Sequence, residues 1–237
     1  ENVLIWSNEV SSSSCSGIHT YGNDVTIDGC DIRLDCQNDV SGIEVVSGWA
    51  SVRNSTIHLV SADNDRTTGI YTALNAELEA SEVQIDLLAN GRDVYGIECN
   101  QGSCSIDGSS INVSSSDLPN WSSEENVGIR LVGDFETSVS GTTIHVSGGE
   151  TGAGIHVTNL SSLGLYDSTI TSLGSKYVYG VKTSGEHVVI RNASVTVLDA
   201  GSFARAIQVE GNGAVLTAEN SQIIAQGDAF NPVSSPT

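Results

Sequence analysis

The residues best placed for chemistry are polar side chains that return at one position of a regular pattern. His19, Glu44, Tyr71, Glu98, Arg130, His156, Lys182 and Gln208 each stand two residues after a Gly or Ala and directly after an Ile or Val. They make up the most varied polar row of the chain. Glu44 and Glu98 are two repeats apart, roughly 10 Å at the spacing of stacked strands. Two carboxylates so placed could act on a glycosidic bond, with Arg130 next to Glu98 to meet an acidic sugar. A solvated face carries the same residue types, and there Glu98–Arg130 is an exposed ion pair of small energetic weight. No catalytic motif selects the first reading over the second, so catalytic residues are set at none, with Glu44, Glu98 and Arg130 as the alternative.

Metal chemistry has a different candidate set. The five histidines never share a row on adjacent repeats and no CxxC spacing occurs, which argues against zinc. Carboxylates gather instead ahead of the early Gly-Ile openings, at Asp35 and Asp39, Asp63 and Asp65, Asp93, then Asp117, Glu124 and Glu125. Asp63, Asp65, Asp93, Glu124 and Glu125 are the calcium candidates, since a hard cation takes oxygen ligands from flexible loops. The longest such loop also holds Trp121, which could stack on a sugar ring. Tyr71, Trp121, His156 and Lys182 are accordingly the ligand-binding candidates. The competing reading is turn-forming Asp and Asn, with Trp121 folded onto its own loop.

These residues need a frame that repeats them in register. The Gly-Ile opening recurs at Gly17, Gly42, Gly69, Gly96, Gly128, Gly154 and Gly180, then as Ala206-Ile207, at steps of 25, 27, 27, 32, 26, 26 and 26 residues. Two further aliphatic columns run beside it. One is Ile27, Val52, Leu78, Ile106, Val139, Leu165, Ile190 and Ala218; the other is Ile32, Ile57, Val83, Ile111, Ile144, Ile170, Val195 and Ile223. Apolar residues alternate with polar ones around each, the period of strands with one buried face. A corner separates the two columns, placed at Gly29, Asn54, Ala80, Gly108, Gly141, Asp167, Asn192 and Asn220, mostly residues that reach left-handed angles cheaply. The residue after it is mostly Ser or Thr, read as a structural ladder rather than as nucleophiles. The pattern predicts an all-β chain: a single right-handed parallel β-helix of about eight coils, three short strands per coil, roughly 40 Å long.

One domain over 1–237 accounts for the unbroken repeat, with a short polar tail at 231–237. Val3 and Ile5 read as the third strand of an incomplete coil and Ala229-Phe230 as the opening of a ninth, so the chain is expected to be a fragment of a longer one. Nine basic residues against 29 acidic ones give a net charge of −20, which excludes nucleic-acid backbone binding and disfavours anionic membranes. No stretch is long enough to insert into a membrane. Of the five cysteines, Cys99–Cys104 and Cys15–Cys36 are the pairs that could form disulfides, the latter between neighbouring coils, while Cys30 reads as a free buried thiol.

The Gly-Ile openings, with corners such as Arg53-Asn54-Ser55-Thr56-Ile57 and Arg191-Asn192-Ala193-Ser194-Val195, resemble the pectate-lyase-like superfamily of right-handed parallel β-helices, over residues 3 to about 230. That superfamily includes lyases, glycosidases, phage tailspikes and surface adhesins, so the resemblance implies a fold and not a function. The Asn-Thr-Asp, Gly-His-Gly and Arg-Ile-Lys motifs of polygalacturonases are absent. The chain looks most like the repeat region of a microbial adhesin-like surface protein. The expectation is a non-catalytic, secreted or cell-surface β-helix that presents a face to a polysaccharide, a host or cell-surface glycan, or a protein. The alternative is a polysaccharide lyase or glycoside hydrolase working on an acidic polysaccharide along the Glu44/Glu98/Arg130 row.

The acidic loops give the first testable expectation. Carboxylates crowded on one edge of a molecule at −20 repel, and calcium relieves that repulsion only in the folded state. Millimolar calcium should raise the melting temperature, and magnesium should raise it less. The Asp63→Asn/Asp65→Asn double change should remove most of the shift, and Glu186→Gln should leave it. Melting curves indifferent to calcium, or shifted equally in both variants, reject a specific site.

Overall fold

Alternating apolar residues give this chain strands. A computed structural model describes residues 3–9, 14–22, 24–61, 66–73, 75–90, 92–115, 125–159, 162–174, 176–185, 187–210, 214–227 and 233–234. Within them all regular structure is β, in three parallel sheets of nine, nine and eight strands. Each coil adds one strand to each sheet. In the first coil these are an opening strand Cys15–Thr20, a middle strand Val25–Asp28 and a closing strand Cys30–Cys36. Eight such triplets stack, the last being Phe203–Val209, Val215–Glu219 and Gln222–Gly227. The result is a right-handed parallel β-helix. Val3–Glu9 pairs with the first closing strand, Ile5 opposite Ile32, so it belongs to the closing sheet. Two residues of the polar tail, Val233–Ser234, extend the opening sheet with Val233 opposite Ile207, while the Ala229-Phe230 pair lies outside the described residues.

Stacking places like on like. Ile43, Ile70, Ile97, Ile129 and Ile155 lie in register along the opening sheet, all fully buried. The Gly column beside them has little room. A Cβ on Gly128 would lie 2.2 Å from Ile144 Cγ2 and 2.6 Å from the Gly154 carbonyl oxygen, so the opening strands press against the closing-sheet isoleucines at a distance only glycine allows. Strand pairing passes over this column, joining the residues on either side of it.

The corner ladder is structural. Ser55 Oγ donates to the Arg53 carbonyl at 2.7 Å and accepts from the Cys30 amide of the preceding coil at 3.1 Å. Ser109, Thr142 and Ser168 repeat this reach from coil to coil, satisfying amides that leave the ladders at the bend. Cys15–Cys36 is a disulfide with Cα atoms 6.4 Å apart, and it joins the opening and closing strands of one coil rather than two neighbouring coils. Cys99–Cys104 also forms, around the first bend of the fourth coil. Cys30 is free but half-exposed, not buried.

In the third coil the register differs from the sequence expectation. Val52 and Ile106 both pair with Ala80, not Leu78, and Ile57 and Ile111 both pair with Ile85, not Val83. The left-handed corner is Glu82, at φ 53°, in place of Ala80. A slip of two residues leaves the in–out alternation intact, so hydrophobic pattern cannot detect it, and glutamate does not announce a left-handed turn.

Seven other corners use Gly, Asn or Asp at positive φ, and Glu82 bears the strain of an L-residue there. Glu82→Gly should therefore raise stability by about 0.5–1 kcal/mol, read by chemical denaturation. Ala80→Gly, inside a strand, should lower it by about the same. The opposite signs would restore the corner to Ala80.

Candidate functional site

The row named first in the sequence is a physical row. Successive strand pairs align His19, Glu44, Tyr71, Glu98, Arg130, His156, Lys182 and Gln208 along the outer face of the opening sheet. Two more outward rows flank the glycines. One lies three residues before each glycine and includes Arg66, Asp93, Glu125, Thr151, Tyr177 and Phe203. The other lies directly before it and includes Thr68, Tyr95, Val127, Ala153, Tyr179 and Arg205. Tyr95, Val127 and Ala153 are buried and pack with Tyr179 into a small apolar floor separate from the main core.

Charge is built on this floor. Glu98 is only 1 % exposed. Arg130 Nη1 donates to its Oε1 at 2.8 Å, and Arg66, from the coil before, forms an ion pair with its Oε2. Glu98–Arg130 is thus a buried junction and not the exposed pair expected from sequence. Both guanidinium groups lie over the Tyr95 ring, at 5.4 Å for Arg66 and 5.0 Å for Arg130, and Arg66 also covers Tyr71 at 4.8 Å. Each arginine side chain keeps solvent access, 39 % for Arg66 and 29 % for Arg130. Glu98 and Tyr95 therefore fix two cations whose remaining faces point to water.

The carboxylates beside them are held in two different states. Asp93 and Glu125 are direct register partners. Burial raises the Asp93 carboxyl and the Glu125 charge raises it further, while Arg130, a hydrogen bond from Tyr95 and Arg66 act against this. Burial would also raise Glu125, but the hydrogen bond and charge of His156, then Arg130 and Lys182, outweigh it and leave the group below its ordinary range. His156 Nδ1 lies 2.5 Å from Glu125 Oε1. The Tyr95 phenol is pushed far up, mainly by burial, and stays a proton donor.

Along the last coils the face becomes aromatic. Tyr179 and Phe203 lie 5.9 Å apart, Lys182 sits 5.3 Å above Tyr179 and Arg205 4.0 Å above Phe203. Among the described residues neither cation is ion-paired with a carboxylate. Toward the other end, His19 Nδ1 contacts Glu44 Oε2 at 3.0 Å. A depression of about 300 Å³ lies there, lined by Asp39, Glu44, Arg66 and Tyr71 but not by Glu98. Glu44 and Glu98 thus turn to different partners. Tyr71, His156 and Lys182 belong to the assembled face, and Arg66, Tyr95, Tyr179 and Arg205 join it unannounced. Spacing three residues before each Gly was the signal for Arg66.

Of the calcium candidates, Asp63, Asp65 and Glu124 lie outside the described residues, as does Trp121. Asp93 and Glu125 are strand residues balanced by arginine and histidine rather than loop residues. Among the described residues no three His, Cys, Asp or Glu side chains converge as a metal site, and no helix is long and apolar enough to cross a membrane. Comparison with protein-family models, curated proteins and solved structures finds no match to this chain.

The opposed carboxyl states predict opposed pH effects. Glu125, lowered in the folded state, contributes stability that is present above its unfolded value near 4.5 and is lost as pH falls through its folded value. Glu125→Gln should cost about 1–3 kcal/mol at pH 7, a deficit that closes in acid. Asp93, raised in the folded state, contributes stability that is full below 3.8 and is lost as pH rises through its folded value. Asp93→Asn should therefore gain stability at pH 7 and nothing below 3.8. Melting temperatures across this range check both signs.

Proposed function

We infer that the opening sheet is a binding face for an acidic saccharide chain, carried by a non-catalytic, adhesin-like β-helix at a cell surface or in the extracellular space. The observation behind this reading is the junction at Glu98, where a buried carboxylate holds Arg66 and Arg130 in place with their outer edges free. Fixed guanidinium groups match carboxylate and sulfate geometry with little entropy left to lose. Lys182 and Arg205, over aromatic rings further along the same face, extend the cationic track and add surfaces on which a sugar ring can stack. In a molecule at −20 such a track selects its ligand locally. Two disulfides accord with an oxidising compartment.

One observation favours catalysis as a second reading. Asp93 and Glu125 are adjacent carboxyls pushed in opposite directions, the arrangement that divides acid and base roles between two groups, and His156 adjoins them. In that case the alternative lyase or glycosidase acts through Asp93, Glu125 and His156, because Glu98 is buried and doubly paired.

Polygalacturonate binding, measured calorimetrically at two salt concentrations, separates the readings. The binding face requires salt-sensitive binding that falls about tenfold or more in Arg66→Ala and in Arg130→Ala. Absence of binding to acidic polysaccharides rejects it. New reducing ends or unsaturated products, lost in Glu125→Gln, replace it with the catalytic reading.

A further inference from the structure

The middle sheet carries a second feature on a different side of the rod. Its outer face holds a trough of about 640 Å³ that runs between Trp49 in the second coil and Tyr166 in the sixth. Four strand steps separate them, roughly 19 Å. The floor is one outward row, Glu79, Ser105, Ser138 and Gly164, aligned strand by strand.

Two observations show more than a gap between side chains. Gly164 is not a turn residue, since it lies within the strand Ser162–Tyr166 and has no positive φ. A Cβ there would meet the Tyr166 ring, at 2.5 Å from Cε2, 2.9 Å from Cζ and 2.8 Å from the hydroxyl. The ring therefore lies down in the space of the absent side chain and forms a platform at the end of the trough. Next, one rim carries Glu77 and Glu136 in a single row, and Glu79 stands on the floor with Arg53 bonded at 3.0 Å.

We propose that this trough binds a neutral oligosaccharide lying along the rod, stacked at its ends on Trp49 and Tyr166. The lining excludes other ligands in turn. Glu77 and Glu136 repel uronates, sulfates and phosphates, while the charge of Glu79 is balanced by Arg53. An apolar ligand would desolvate those carboxylates without repaying them in hydrogen bonds. An ammonium or guanidinium compound would use the carboxylates, but it has no use for a floor of hydroxyls or for two rings separated by four coils. Sugar hydroxyls donate to the carboxylates and exchange bonds in both directions with Ser105 and Ser138, while the apolar faces of the rings cover Trp49 and Tyr166. This site is independent of the cationic face on the opening sheet.

The test is calorimetric titration of the whole chain with linear hexasaccharides of β-1,4-glucan, β-1,4-xylan, β-1,4-mannan and α-1,4-glucan. Spermidine and oligogalacturonate serve as cationic and anionic probes. At least one neutral hexasaccharide should bind with little dependence on salt. Trp49→Ala and Tyr166→Ala should each weaken it at least tenfold, Tyr166→Phe should retain it, and Arg66→Ala with Arg130→Ala should leave it unchanged. Gly164→Val, which forces the Tyr166 ring off the floor, should also weaken it tenfold, and unchanged melting temperatures in the ring variants show that folding is intact. The proposal is overturned if no neutral hexasaccharide binds at millimolar concentration, if binding survives loss of both rings, if it moves with the arginine changes, or if spermidine alone occupies the trough.

Discussion

The approach of the first seven opening strands to the closing sheet, at a column of glycines where a Cβ would clash, is the constraint on which this molecule depends. At Gly96 that missing atom would lie 2.3 Å from Ile111 Cγ2, and at Gly154 it would lie 2.1 Å from Ile170 Cγ2. Closeness of this kind locks each coil against the isoleucines of its own third strand, and stacking then repeats the lock. The same column divides the outer face of the opening sheet into rows before and after it. Arg66 and Asp93 come from the row three residues before, Tyr95 from the row directly before, Glu98 and Arg130 from the row after. The ionic junction exists because the glycines leave no bulk between these rows and Tyr95 supplies the floor.

Inside the rod the interactions are apolar and repetitive; outside they are particular. Inward positions are mostly Ile, Val and Leu, with Ala, Cys and a few Ser and Thr such as Thr72 and Thr183 among them, so each coil is as stable as its neighbours allow. Outward rows are free to vary, and three different surfaces result. The opening sheet concentrates arginine, carboxylate and aromatic rings, the middle sheet pairs carboxylates with hydroxyls between two rings, and the corners between middle and closing strands use serine to finish the backbone hydrogen bonds. Burial distinguishes the first from an ordinary charged surface. Removing water from Glu98 makes its two arginine contacts strong and makes either one costly to lose.

The architecture was legible because its rule is periodic. Spacing of the Gly-Ile pairs located the opening strands, and alternation located their inward faces. The third coil was misread by two residues, because alternation is blind to a shift of two and Glu82 occupies a corner that composition assigns to Gly or Asn. The row of Glu98 and Arg130 was also legible, but its burial was not. Exposure depends on what lies across the strand, and Arg66 reaches Glu98 from another coil. Asp93 and Glu125 look like loop carboxylates in sequence because they precede the openings. Pairing puts them in strands, where Tyr95, Arg130 and His156 decide their protonation.

Six of the nine basic residues, Arg66, Arg92, Arg130, Lys176, Lys182 and Arg205, lie in or immediately before strands of the opening sheet. The other three, Arg33, Arg53 and Arg191, are each bonded to a carboxylate on other sheets. Among the described strands, the opening sheet sets Glu44, Asp93, Glu98 and Glu125 against Arg130, Lys182 and Arg205, whereas the middle sheet sets Asp28, Glu77, Glu79, Asp107, Glu136 and Glu219 against Arg53 and Arg191 alone. That asymmetry is a dipole perpendicular to the long axis. A negatively charged surface exerts a torque on such a dipole within a Debye length, about 8 Å at physiological salt. Within that distance such a surface repels the arginine side of the opening sheet less than it repels the middle sheet.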